Sequence, residues 1–201
     1  MLFQKYTGNP VLGPEMFPSD IMYVFNPGAI RHNGEYLLVV DAATAATPIV
    51  FWIARSRDGI HFTPDPGPIA DWPTPASGPE NCIYDPRITF IDGEYILMYA
   101  SQAEGRGVRT GVVRTNDFRR FVRIEQAETG RNNRNSVLFP EKINGRYVRF
   151  DRPMGDDEFE PSDMCISYSD DLSNWYGSKV LMTPRPGCWD SHKIGGGAVP
   201  I

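Results

Sequence analysis

The sequence predicts an all-β fold of propeller type, in which one blade has been copied along the chain. Three observations carry that prediction. An Asn or Asp stands before a short apolar strand that runs into a Gly-X-Tyr turn at Asn26-Pro27 to Tyr36, at Asp85-Pro86 to Tyr95 and at Asn135-Ser136 to Tyr147. A polar turn followed by an aromatic recurs between those copies, as Ser56-Arg57-Asp58-Gly59-Ile60-His61-Phe62, as Thr115-Asn116-Asp117-Phe118 with Phe121, and as Ser169-Asp170-Asp171-Leu172-Ser173-Asn174-Trp175. No window has the 3.6-residue apolar period of a long amphipathic helix.

In chain order, each copy opens on its Asx-led strand, reverses at Gly-X-Tyr, and runs through a further strand before the polar turn, at 50–54, 110–113 and 164–168. Runs of β-branched and aromatic residues bounded by Gly, Pro, Asn and Asp are strand signals, and their regular return indicates an all-β domain. A fourth copy begins at Trp189-Asp190-Ser191. The leading residues 26, 85, 135 and 190 lie 59, 50 and 55 apart, slightly longer than familiar propeller blades and far longer than leucine-rich or tetratricopeptide units. One partial propeller domain is therefore expected over 1–201, with about three blades and the start of a fourth, truncated at its C-terminus so that 195–201 becomes a free tail.

Composition excludes several classes. The 19 Gly and 18 Pro in 201 residues suit many turns, and 41% hydrophobic content suffices for a core. A net charge of −5 leaves no basic footprint for nucleic acid. No apolar run approaches the ~20 residues of a membrane span. Residues 1–6 lack the apolar stretch of a secretory signal, so a cytoplasmic location is expected. Cys82, Cys165 and Cys188 have no CxxC spacing and read as free thiols; His32, His61 and His192 lack ligand spacing, so no metal is expected.

In a propeller, the innermost strand of each blade points its start into a central channel. If the strands led by Asn26, Asp85, Asn135 and Asp190 are innermost, their polar residues converge on one funnel. The competing reading is that Asx-Pro pairs only start turns. Arg131, Arg134, Arg149 and Arg152 flank Asn135, and Lys193 follows Asp190. Of the 20 basic residues 16 are Arg, whose planar fork suits bidentate binding of phosphate or carboxylate. An anion site is one reading of that cluster. In the other, Arg131, Arg146 and Arg149 alternate outward on an exposed strand, whereas Arg152, at a strand end before Pro153, points to function.

The strings Phe25-Asn26-Pro27-Gly28-Ala29-Ile30, Tyr84-Asp85-Pro86-Arg87-Ile88-Thr89, Val137-Leu138-Phe139-Pro140-Glu141-Lys142-Ile143, Asp151-Arg152-Pro153 and Trp189-Asp190-Ser191-His192-Lys193-Ile194-Gly195 resemble glycoside hydrolase family 130, the inverting β-mannoside phosphorylases and β-mannosidases. The resemblance runs from Asn9-Pro10-Val11-Leu12 to the end and implies a five-bladed β-propeller, of which this chain resembles the first two-thirds. It implies that Asp85 is the general acid, acting through a hydroxyl of the bound mannose. It places Arg134, Asn135, Arg152 and Lys193 where phosphorylases hold inorganic phosphate, with a histidine of that site further along than this chain extends. Asn26, Arg87 and Asp190 match positions lining the sugar pocket. Two departures stand out: Tyr84 replaces the usual Glu before the acid, and the strand after the first turn, Leu37-Leu38-Val39-Val40-Asp41, lacks the family's sugar-binding Arg.

The chemistry fits that inventory. An inverting hydrolase needs an acid and a separate carboxylate base. A phosphorylase needs only the acid, together with a cationic clamp for a nucleophile that is already anionic. Arg134, Arg152 and Lys193 favour the clamp, and Glu141 or Asp163 is the candidate base should the reaction be hydrolysis. The expected activity is inverting phosphorolysis of β-mannosides to α-mannose 1-phosphate; the alternatives are an inverting β-mannosidase, a sugar-binding propeller without catalysis, and a scaffold for a protein partner. The expected partners are a β-mannoside oligosaccharide and phosphate as co-substrate, with no other cofactor and neither nucleic acid nor membrane; a homo-oligomer is left open. Trp72, Tyr84, Phe159 and Trp189 are candidates for stacking on sugar rings, whereas Trp175 and Phe62 read as packing residues of the repeat.

Overall fold

Each sheet begins as a hairpin whose turn is dictated locally. Asn33-Gly34, Asp92-Gly93 and Asn144-Gly145 hold both residues at left-handed φ, 51° and 84°, 52° and 81°, and 52° and 76°. That conformation fits the twist of a two-residue hairpin and favours an Asn or Asp followed by Gly. The computed structural model describes residues 4–46, 48–127, 132–155 and 161–200. Among these, the strands run β1 (Tyr23–His32), β2 (Glu35–Ala43), β3 (Val50–Ser56), β4 (Thr63–Pro64), β5 (Cys82–Ile91), β6 (Glu94–Ala103), β7 (Gly107–Thr115), β8 (Val122–Arg123), β9 (Asn132–Leu138), β10 (Tyr147–Met154), β11 (Met164–Ser169) and β12 (Tyr176–Met182). They form three antiparallel meanders, β1-β2-β3-β4, β5-β6-β7-β8 and β9-β10-β11-β12.

The predicted polar turn closes each blade between its third and fourth strands, and the same hydrogen bonds build it three times. Ser56 Oγ accepts from the N–H groups of Asp58 and Gly59, while Asp58 Oδ1 accepts from those of Ile60 and His61. Thr115 and Asp117 repeat this with Asp117, Phe118, Arg119 and Arg120. Ser169 and Asp171 repeat it with Asp171, Leu172, Ser173 and Asn174. The fourth position is left-handed each time, at Gly59, Phe118 and Leu172. These bonds hold Asp171 at a pKa of about 2 and Asp58 well below the usual carboxylate range, the latter chiefly through His61.

Blades stack face to face. Leu37, Val39, Phe51 and Ile53 of the first blade pack on Ile88, Leu97, Tyr99 and Val113 of the second. The opposite face of the second blade, with Ile96, Met98 and Val112, packs on Leu138 and Leu172 of the third. Burying one such Leu or Phe contributes roughly 1.5–3 kcal/mol. Phe62 is buried, and Trp175 packs on the second of these clusters. The outer face of the first blade is covered by Phe17 and Ile21, after a single 3-10 turn at Pro14–Met16.

The chain after β12 is not the expected free tail. Ser162 N–H donates to His192 O, and Ile194 N–H donates back to Ser162 O. Arg87 Nε donates to Gly197 O at 2.8 Å, so this segment reaches from the third blade to the second. The three cysteines are free, and no described helix is long and apolar enough to cross a membrane.

Candidate active site

The leading Asx of each blade is a bulge residue. Strand pairing skips from Phe25↔Asp41 to Gly28↔Val39, from Tyr84↔Ala100 to Arg87↔Met98, and from Phe150↔Val137 to Arg152↔Arg134. The residue inserted at each skip is left-handed: Asn26 at φ 45°, Asp85 at 58° and Asn135 at 52°. Asn and Asp tolerate that conformation better than other residues with a Cβ, and bulges re-aim side chains. The recurrent Asx thus has a backbone cause. The same cause turns three polar side chains out of three innermost strands.

Two of them meet. Asn26 Nδ2 donates to Asp85 Oδ1 at 2.6 Å, linking the first and second blades. Beneath this contact lies Asp41 of β2, with 0% exposure. Its two carboxylate oxygens stand 3.2 and 3.0 Å from the Asp85 backbone N–H. Burial pushes the Asp41 carboxyl up to about 7; the N–H of Asp85 opposes that shift, the charge of Asp85 adds to it, and the charge of Arg87 opposes it more weakly.

The third blade contributes cations. Arg134 and Arg152 sit directly opposite each other on β9 and β10. Nε of each is buried without a protein hydrogen-bond partner, and so is Oδ1 of Asn135. The guanidinium of Arg134 lies 5.7 Å from the Tyr84 ring centre. Burial makes Arg152 easier to deprotonate and the charge of Arg134 adds to that, while Asp85 and Tyr84 work the other way. Burial likewise raises the Tyr84 phenol, with Arg134 opposing. Asp85, Tyr84, Arg134 and Arg152 therefore share one electrostatic environment, drawn from two blades.

The other predicted residues divide. Arg87 and Asn26 line a cavity of about 260 Å³, with Pro27, Gly28 and the chain at Gly197 to Val199. Lys193 pairs with Ser162 through its backbone, two residues before Gly195, where a methyl group in place of the glycine hydrogen would lie 3.3 Å from both Asn135 Cβ and Arg152 Cδ. Asp190 does not repeat the bulge geometry: it lies in a turn, buried, with Oδ2 held by Arg185 Nε at 2.8 Å.

Several expectations are corrected. Arg149 is neither exposed nor part of the cation pair. It is buried between the second and third blades, bonded to Asp151 at 2.9 Å and lying 4.0 Å over the Trp175 ring. Arg146, in contrast, is exposed beside Asp170, in keeping with the outward-facing reading. Trp72 belongs to the inter-blade core against Phe51, Tyr99 and Phe121. Trp189 is 92% exposed, and Tyr84 alone of the described aromatic candidates adjoins Asp85. Glu141 is exposed at the far end of β9, six residues and roughly 20 Å of extended chain from Asn135. Arg131 and Phe159 lie outside the described residues.

Sequence reasoning missed Asp41 and Asp151. Asp151 accepts from Asn133 Nδ2 and Ser136 Oγ at 2.8 and 3.1 Å and from Ser167 Oγ, forming a buried polar seam beside Arg149. A signal existed for Asp41, a lone acid closing the apolar run Leu37 to Val40, because a buried carboxylate must find a partner.

Comparison with known proteins bears on the fold and the family. A protein from Ruminococcus albus described as a beta-1,4-mannooligosaccharide phosphorylase is 32% identical over 98% of this chain. This chain spans 60% of that relative's length. A 1,2-beta-oligomannan phosphorylase from Thermoanaerobacter is 33% identical, with 98% of this chain and 67% of its own covered. The solved beta-1,2-mannobiose phosphorylase from Listeria innocua superposes with a TM-score of 0.81 at 26% identity, over 98% of this chain and 70% of that one. That likeness identifies the three sheets as blades of an incomplete five-bladed propeller type. The family model described as beta-1,4-mannooligosaccharide phosphorylase matches residues 4–201, and with that match along nearly its whole length the chain belongs to glycoside hydrolase family 130.

Proposed function

We propose that the chain carries the acid and the cationic clamp of an inverting β-mannoside phosphorylase, which splits a β-mannoside with inorganic phosphate to give α-mannose 1-phosphate. One observation carries the reading: Arg134 and Arg152 oppose each other across two strands beside Asp85, each with a buried Nε lacking a protein partner. Like charges directly opposite on a sheet destabilise it, and a dianion between them removes that repulsion while satisfying the donors. Sequence relatives that bear phosphorylase names support the same reading. Both β-1,4 and β-1,2 linkages occur among those names, and the substrate class proposed is the β-mannoside they share.

In this scheme the clamp presents phosphate to the anomeric carbon on the face opposite the leaving oxygen. The bond from C1 to the departing sugar breaks as a bond from C1 to a phosphate oxygen forms, inverting the centre. The proton of Asp85 ends on the departing oxygen, relayed through a hydroxyl of the mannose. Asn26, bonded to Asp85 Oδ1, would orient the acid, and the cavity lined by Arg87 and Asn26 is the space proposed for the sugar. No carboxylate base is required, because phosphate arrives as a nucleophilic anion.

The test supplies β-mannobioses of both linkages to the protein, with and without inorganic phosphate, and follows α-mannose 1-phosphate by phosphorus NMR. Phosphate-dependent cleavage with that product is expected. Equal cleavage rates in phosphate-free buffer would establish hydrolysis instead, and glycan binding without turnover would leave a sugar-binding propeller.

A further inference from the structure

We infer that Asp41 is the positioning residue of the acid, fixing the left-handed backbone at Asp85 from beneath and thereby the direction of its carboxyl, without itself touching substrate. The role in turnover rests on the phosphorylase reading above; the structural part does not. With no exposed surface, Asp41 can meet neither sugar nor phosphate. Both its oxygens lie within hydrogen-bond distance of a single donor, the Asp85 N–H.

Asp85 is consequently gripped at two points by the preceding blade. Asn26 of β1 holds its side chain, and Asp41 of β2 holds its backbone. Release of the N–H would remove one of the two contacts that aim the Asp85 carboxyl.

The repeat shows that this grip is no general requirement of the blade. The residue preceding each bulge pairs with Asp41 in the first blade, Ala100 in the second and Arg152 in the third. Counted from the hairpin tyrosines Tyr36, Tyr95 and Tyr147, the three are equivalent, each five residues on. Ala100 does without a carboxylate at the corresponding place. Asp41 occurs on the blade that faces Asp85.

Among the described residues, the charged or titratable groups that act on Asp41 are Asp85, Arg87 and Cys82, all on β5. Because burial lifts the Asp41 carboxyl to about 7, its charge changes across neutral pH, and the strength of its bond to the Asp85 N–H changes with it.

Two readouts on the full protein test this. In the first, the Asp85 backbone amide is followed by nitrogen-15 NMR from pH 5 to 9: its shift should titrate near neutrality in the wild type and lose that titration in Asp41→Asn. In the second, Asp41→Ala should lower kcat about a hundredfold, the scale of a 1 Å misplacement, with KM for mannoside and phosphate changed less than about threefold. Asp41→Asn, which keeps an acceptor oxygen, should recover about tenfold of that loss. An Asp85 amide that does not titrate, or an Asp41→Ala protein with wild-type kcat, overturns the inference. Absence of any phosphorolysis in the wild type would count against the function proposed above and leave the amide titration as the deciding measurement.

Discussion

Replacing Asp41 by Asn should change how stability depends on pH, in a direction that follows from its burial. The folded carboxyl titrates at about 7, against an ordinary value of 3.8. A raised acid pKa means that the native state binds the proton more tightly than the unfolded chain, so stability falls as pH rises from about 4 to about 7 and levels off above. At about 1.4 kcal/mol for each pH unit, the gap sets a ceiling of roughly 4 kcal/mol on this penalty. Asn carries no charge and escapes it. Its amide nitrogen, left without a partner in the same buried place, costs about 1–3 kcal/mol at every pH, so the slope and not the absolute difference is diagnostic. Urea unfolding at pH 4, 6 and 8 should show the stability difference between variant and wild type moving in the variant's favour by one to a few kcal/mol between the extremes. A difference independent of pH, or one that moves in favour of the wild type as pH rises, would refute the argument.

Three further outcomes follow from the site and the core. Asp85→Asn should lower turnover by about 10²–10⁴, the usual contribution of a positioned acid, while isothermal titration still registers the glycan. Arg152→Ala should raise KM for phosphate about tenfold to a hundredfold, the value of one charge-assisted hydrogen bond, and leave KM for the mannoside within about threefold; the opposite split, measured by initial rates, would move the guanidinium to the sugar. Gly111→Ala would set a methyl group into the Tyr99 ring, which Phe51 and Trp72 flank and whose hydroxyl bonds to Glu80. Such overpacking costs typically 1–3 kcal/mol, read as a lowered Tm.

The blades were legible because their determinants are local. Asn-Gly and Asp-Gly pairs specify their own turns, and Ser56-Arg57-Asp58 with its two counterparts needs only its own backbone to close. Asx leaders were legible as a repeat, yet their cause was a left-handed bulge, invisible until strand register is known. Arg149 was misread for a related reason. Tyr147, Arg149 and Asp151 alternate onto one face of β10, and only the neighbouring blade decides that this face is buried. The ion pair two residues apart on one strand was the available sign. Asp190 met the spacing test without the geometry, since an acid before an apolar stretch can equally cap a turn with Arg185. The sequence signals that Asp41 needs a partner without showing which, because that partner is a backbone group 44 residues away on the next blade.

That dependence across blades bears on the chemistry. Each blade offers the channel one bulged polar residue, and no single blade holds an acid and a clamp together: Asp85 comes from the second, with Asn26 and Asp41 of the first securing it, and Arg134 and Arg152 come from the third. A hydrolase on this frame would need a second ionised carboxylate reaching the same space. Among the described residues, Asp41 is in hydrogen-bond contact with the Asp85 backbone, and it is closed to solvent and committed to that N–H. Glu141 stands at the opposite rim, next to the Lys142 that pairs with Asp92 of the second blade's hairpin. Arg134 and Arg152, by contrast, stand opposed on one strand pair, a costly arrangement when it is empty and a suitable one for an incoming dianion. On the proposed function, bound phosphate would relieve their repulsion, which would tie affinity for the nucleophile to the register of β9 against β10.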